Sequence, residues 1–117
     1  MTSASLISQL RQIVGDKYLI TDPSQSEAYR SGYRFGNGNA LAGNLTEFWA
    51  ILKACVAADV IVIAQAANTG LTGGSTPDGN DYDRDIVIIN AMRISGIQLI
   101  NDAQQAVCLP GSTLNEL

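Results

Sequence analysis

The sequence predicts an α+β fold, a small mixed sheet with a helix packed on one face. Three observations carry that expectation: a capped amphipathic stretch opening at Asn44, two β-branched runs at residues 60–64 and 86–89, and two shorter extended runs meeting at Asn101-Asp102. The period changes from helical to extended after Asp59, which marks where one kind of element gives way to the other. With 117 residues the chain is one domain at most, and 46% hydrophobic content is enough for a small core.

Residues 3–14 read as an amphipathic helix. Leu6, Leu10, Ile13 and Val14 recur at helical spacing, Ser3 is placed to cap the start and Gly15 to end it. Tyr18-Leu19-Ile20 is a short extended piece, and Asp22-Pro23 opens a second short helix toward Arg30, with Pro at the first helical position. Residues 31–43, rich in Gly, Asn and Ser, read as loop. At Asn44 the signal sharpens: Asn44 and Glu47 form a capping-box pair, and Leu45, Phe48, Trp49, Leu52, Cys55 and Val56 make one apolar stripe with Trp49 as its core anchor.

The run Val60-Ile61-Val62-Ile63-Ala64 is that of a strand covered on both faces, and Ile86-Val87-Ile88-Ile89 repeats it. Residues 97–100 and 106–109 are two further strands joined by the turn-prone Asn101-Asp102. Pro110-Gly111-Ser112 then introduces a helix with Ser112 as N-cap. Its stripe of Leu114 and Leu117 stops after about one turn, too short to be stable alone, so the chain reads as a fragment of a longer protein.

Composition excludes several function classes. The net charge of −4 and seven scattered basic residues argue against nucleic acid as a partner. There is no histidine, which removes the commonest general base, the Ser-His triads and almost every zinc site. Cys55 and Cys108 lack metal-ligand spacing and read as two buried free thiols. Asp81, Asp83 and Asp85 do not match a calcium loop and read as solvated acids around Arg84, and Tyr82 as a packing residue. No metal site and no catalytic residue is expected. The N-terminus has no signal-peptide pattern, and no apolar run approaches the roughly 20 residues of a membrane span, so the chain itself reads as soluble and cytoplasmic.

One segment does point to chemistry: Gln65-Ala66-Ala67-Asn68-Thr69-Gly70-Leu71-Thr72-Gly73-Gly74-Ser75-Thr76. Glycines let backbone N–H groups approach an anion unobstructed, and Asn, Thr and Ser add short polar side chains. The segment has no lysine, so it is not a P-loop. It also lacks the Gly-x-Gly-x-x-Gly spacing of a dinucleotide turn and is followed by a strand rather than a helix. By composition the segment fits either a tight turn between strands or an anion-binding loop; its place after a buried strand, where α/β crevices take ligands, favours an anion held by backbone dipoles.

The order helix, Val-Ile-Val-Ile, Gln-Ala-Ala-Asn-Thr-Gly-Leu-Thr-x-Gly-Ser-Thr-Pro, then Gly-Asn-Asp-Tyr-Asp-Arg-Asp-Ile-Val-Ile-Ile resembles the FAD-dependent, quinone-linked respiratory D-lactate dehydrogenases of bacteria. These belong to the p-cresol methylhydroxylase and vanillyl-alcohol oxidase type of flavoprotein. Leu19-Ile20-Thr21-Asp22-Pro23, Leu52-Lys53-Ala54-Cys55 and Pro110-Gly111-Ser112-Thr113-Leu114 extend the resemblance over nearly the whole chain.

The resemblance implies the first subdomain of an FAD-binding domain, incomplete over residues 44–117, with 1–43 as a helical and loop lead-in. It implies FAD contacts from Ala66, Ala67, Asn68, Thr69, Gly70, Gly74 and Ser75, with Gly73 helping the turn. The complete enzyme would pass hydride from D-lactate to FAD and electrons on to a membrane quinone. It would lie peripherally on the cytoplasmic side of the inner membrane, attached through parts outside this segment, and the segment alone would be inactive. Tyr29, Tyr33 and Arg34 are further candidates for the substrate or flavin edge. The family carries a strand of Val-Val-x-Pro character before the capped helix, where this chain is about four residues short. Two alternatives share the loop: a flavoenzyme for another 2-hydroxy acid, and a non-catalytic module for a phosphorylated ligand.

Overall fold

The computed structural model describes residues 4–21, 38–79 and 81–117. The expected Ser3 cap, the helix from Asp22-Pro23, the loop over residues 31–37 and the candidates Tyr29, Tyr33 and Arg34 lie outside the described residues. The fold is α+β. Helix α1 (Ala4–Val14) is followed by a 3-10 turn at Asp16–Tyr18, strands β1 (Leu19–Ile20) and β2 (Gly38–Leu41), and helix α2 (Leu45–Ala57). Strands β3 (Ile61–Gln65), β4 (Ile86–Asn90), β5 (Ile97–Ile100) and β6 (Gln105–Cys108) and a last 3-10 turn at Leu114–Glu116 complete it. One four-stranded sheet has the order β1-β2-β4-β3, and β5-β6 form a separate hairpin. Strands β2, β4 and β3 are mutually parallel while β1 runs antiparallel to β2, so the sheet is mixed.

Residues 38–41, read from sequence as loop, are strand β2. Four residues that include Gly38 and Asn39 have little intrinsic strand preference; they are extended because ladders on both sides, to β1 and β4, pair their backbone. The strand expected before Asn44 is therefore present, built from the residues at hand. Sheet and core draw on residues both before and after position 44.

Strand β4 is the centre of the sheet and is buried along its whole length. Val87 and Ile89 point to the helices and meet Leu6, Leu10 and Val14 of α1 and Ile51 and Cys55 of α2. Ile86, Ile88 and Asn90 alternate onto the opposite face and are equally buried. Strand β3, expected to be covered on both faces, is instead the sheet's edge and only half-buried before Gln65. Gly15 ends α1 as expected, with φ 83° and its N–H on the Arg11 carbonyl at 2.8 Å.

The face of α2 was misjudged. Ile51 and Cys55 enter the core, Phe48 is half-buried, and Leu45, Trp49, Leu52 and Val56 point outward. Apolar residues run almost all the way round this helix, so periodicity fits two faces equally well and the sheet selects the one that Ile51 lies on. Trp49 is no core anchor: it is 60% exposed, with the Lys53 ammonium 4.3 Å from its ring centre. No helix among the described residues is long and apolar enough to cross a membrane.

Cys55 is buried as expected, but Cys108 is exposed, because it ends β6, a strand of the two-stranded hairpin that is exposed along its whole length. Its register puts Ile97, Leu99, Ala106 and Cys108 on one face. Burial pushes the Cys55 thiol up to about 11. A folded-state value above the ordinary 9.0 means that the unfolded chain ionises first as pH rises, so this contribution to stability is present below pH 9 and is lost between 9 and about 11. We expect Cys55, in a Cys108→Ser background, to resist alkylation at pH 8 in the native protein and to react once it is unfolded; rapid native modification, read by mass spectrometry, would contradict this burial.

At the C-terminal end, Ser112 is not the N-cap. Its hydroxyl bridges the N–H and carbonyl of Gly96, both at 2.9 Å, and fastens the base of the hairpin. Thr113 caps the short turn instead, in a capping box with Glu116.

Candidate functional site

Three parallel strands end along one edge of the sheet: β2 at Leu41, β3 at Gln65 and β4 at Asn90. Crevices outside the carboxyl ends of parallel strands are the usual ligand sites of such sheets. Two features are built there. One is the N-terminus of α2, where the Asn44 side chain accepts from the Glu47 N–H at 2.8 Å and the Glu47 carboxylate accepts from the Gly43 N–H, one residue earlier than a standard capping box. The other is the glycine-rich loop.

The connection from β3 to β4 spans 20 residues and has no helix or strand among its described residues, although both strands are parallel and must be joined by a crossover. Loops of that length inside compact domains are uncommon and are usually either functional or linker segments. Its first half is held at both ends. The Ser75 hydroxyl donates to Asn68 Oδ1 at 2.6 Å, so two of the residues expected to contact a cofactor, seven positions apart, touch each other. Gln65 Nε2 donates to the Ser75 carbonyl at 2.9 Å, and Thr76 N–H to the Gly73 carbonyl at 3.3 Å.

Asn68 and Gly73 take left-handed backbone, φ 56° and 72°, and Gly73 supplies the turn expected of it. Gly70 and Gly74 are different. Neither has a positive φ, and a Cβ would meet nothing within 4 Å at Gly70 and only Thr72 Oγ1 at 3.9 Å at Gly74. Nothing in the chain's own folding demands glycine at these two positions. Bare backbone there suits a ligand that needs the space. Among the described residues, the amides of positions 66–72, 74 and 75 make no backbone hydrogen bond within the chain, while the turn at Leu71-Thr72 engages that of Gly73; the unbonded amides are left to water or to an acceptor from outside. Ala67, Asn68, Thr69, Gly70 and Gly74 are exposed, and Ala66 and Ser75 half-buried. The arrangement fits an anion bound by backbone dipoles, with no cationic side chain in the loop.

Sequence reasoning took Gln65 only as the first residue of the loop and missed Asn90 and Arg93; all three shape this edge. Gln65 and Asn90 are buried beneath the loop, 4% and 1% exposed, and Asn90 Nδ2 donates to Gln65 Oε1 at 3.1 Å. The signal was available, since each β-branched run ends in an amide residue. Arg93 donates to the Leu41 carbonyl at 2.9 Å and lies 3.4 Å over the Tyr18 ring, closing the corner between β1, β2 and α2. Away from the loop, Arg84 pairs with Asp83 at 3.2 Å and Asp59 at 2.9 Å, which raises its pKa through the Asp83 hydrogen bond and charge and then through Asp59. Tyr82 is half-buried and its hydroxyl accepts from the Asp78 N–H at 2.7 Å. Among the described residues no group of His, Cys, Asp or Glu is arranged to hold a metal.

No protein-family model matches the chain. It is 72% identical, over 121 aligned residues and its whole length, to the quinone-dependent D-lactate dehydrogenase of Haemophilus influenzae, and 49% identical, over 97% of its length, to the enzyme of that name from Escherichia coli. It spans only about a fifth of the relatives' length, 22% and 20%. The first alignment is four positions longer than this chain (121 against 117), the size of the shortfall noted before Asn44. In fold it is similar to p-cresol methylhydroxylase, with a TM-score of 0.71 at 16% identity over 96% of this chain and 23% of that one.

Proposed function

We infer that this chain, homologous throughout its length to quinone-dependent D-lactate dehydrogenases, is the part of such an enzyme that forms one wall of an FAD diphosphate site. The full-length identity of 72% is the observation that carries the inference, and the geometry of the loop supports it. Ala66, Ala67, Asn68, Thr69, Gly70, Gly74 and Ser75 hold the diphosphate, mainly through backbone N–H groups, and Gly70 and Gly74 keep the approach clear. The bound flavin would supply the redox chemistry, accepting hydride from D-lactate and returning electrons to a membrane quinone. The part played by these residues is to bind and orient it. The chain has no histidine to take the lactate hydroxyl proton, and we assign that step to residues elsewhere in the complete enzyme, so that the segment alone is expected to be inactive.

The test is to express the complete gene and record a visible spectrum, then assay quinone reduction with D-lactate and with glycolate. Flavin absorption and D-lactate-dependent reduction are expected. A colourless protein that takes up no added FAD would sink the flavin assignment, and a preference for glycolate would move the substrate to another 2-hydroxy acid.

A further inference from the structure

We propose that Gln65 and Asn90 are positioning residues that preset the diphosphate loop before any cofactor arrives and tie it to the turn leaving β4. The proposal rests on the loop being the FAD site and names the device that shapes it. Buried amides are costly unless their polar atoms are paired, and apolar side chains would fill the same sheet positions at lower cost. The two amides are instead linked in series. Asn90 Oδ1 accepts from the Met92 N–H at 2.9 Å, Asn90 Nδ2 donates to Gln65 Oε1 at 3.1 Å, and Gln65 Nε2 donates to the Ser75 carbonyl at 2.9 Å.

A continuous path therefore runs from the backbone beyond β4, through two buried side chains, to the closing arm of the loop. The Ser75 hydroxyl carries it on to Asn68 in the opening arm. Both side chains project to the sheet face away from the helices, and the loop folds back over that face. The loop's shape is thus held from the protein interior, so less ordering cost falls on ligand binding.

The experiment uses the complete enzyme, with and without its flavin, and reads two quantities: FAD affinity by fluorescence titration of the apoprotein, and, without FAD, hydrogen exchange of the Thr76 amide, which the loop's own bond to the Gly73 carbonyl protects. Gln65→Leu and Asn90→Leu are each expected to weaken FAD binding by roughly 10- to 100-fold, the range for a buried polar partner left unpaired. The double variant should be no worse than the poorer single one, because both cut the same path. Loop exchange should rise in all three.

Asn90→Asp covers the case in which the leucine variants do not fold. A carboxylate there still accepts from Met92 but can no longer donate to Gln65; the Gln65 amide must turn its Nε2 toward it and release Ser75, so loop exchange should again rise. Unchanged exchange together with FAD affinity within about twofold of wild type, whatever happens to melting temperature, would reduce the pair to core filling and overturn the proposal. If wild-type protein binds no FAD, the flavin assignment fails by itself, while the exchange measurement still decides whether the pair presets the loop.

Discussion

Gly74→Val in the complete enzyme should produce a folded, colourless protein. The position has ordinary backbone angles and open space around its missing side chain, so a valine is accommodated by the chain itself. Exposed substitutions of that kind usually change stability by no more than about 0.5 kcal/mol. The bound cofactor is another matter. A branched side chain in front of amides meant for the diphosphate displaces it by more than the span of a hydrogen bond, and several charge-assisted bonds are lost together. A fall in FAD affinity of at least about 100-fold, close to 2.7 kcal/mol, is expected. Gel filtration and melting temperature should match wild type, while the visible flavin absorption is lost. Gly70→Val should behave alike. Retained flavin in both variants would mean that the cradle lies elsewhere.

How much of this was legible follows from how local each signal is. The Asn44–Glu47 cap, the two β-branched runs and the turn at Asn101-Asp102 are each written in a few neighbouring residues, and each appears where expected, the turn with Asn101, Asp102 and Ala103 all at positive φ. Strand β2 is not written locally. It exists because β1 and β4 flank it, and its own residues look like loop. The orientation of α2 was ambiguous for the opposite reason, too many apolar residues, so that Trp49 and Ile51 competed for one interior and only the packed structure decides.

The candidate site divides in the same way. Its glycines and short polar residues stand out in composition, and the ligand proposed for them comes from the resemblance. What holds them was hidden, because Gln65 and Asn90 lie 25 positions apart and each looks like an ordinary strand terminator until parallel pairing sets them side by side. Ser112 teaches a related lesson: a residue in the right place to cap a helix was taken by a distant partner, Gly96, leaving the cap to Thr113.

Gly111→Ala should have the reverse phenotype of Gly74→Val, a loss of fold rather than of cofactor alone. A Cβ at Gly111 would sit 2.4 Å from the Met92 carbonyl oxygen and 2.7 Å from that of Ala91, and both are backbone atoms that cannot swing aside. The contact is close because the Gly111 N–H donates to the Ile94 carbonyl at 2.7 Å, pinning the end of the hairpin onto the turn that leaves β4. One methyl group must therefore separate the two segments. Overpacking of this sort costs roughly 1–3 kcal/mol and more where backbone has to move, a large share of the ~5–15 kcal/mol that holds a domain together. Because Met92 is also held by Asn90, the displacement should reach the loop, so that any folded fraction binds FAD weakly as well as melting lower. A Gly111→Ala enzyme with wild-type melting temperature and full flavin content would show that the hairpin does not close on β4 in this way. The two glycines thus separate the ligand's need for bare backbone from the fold's own.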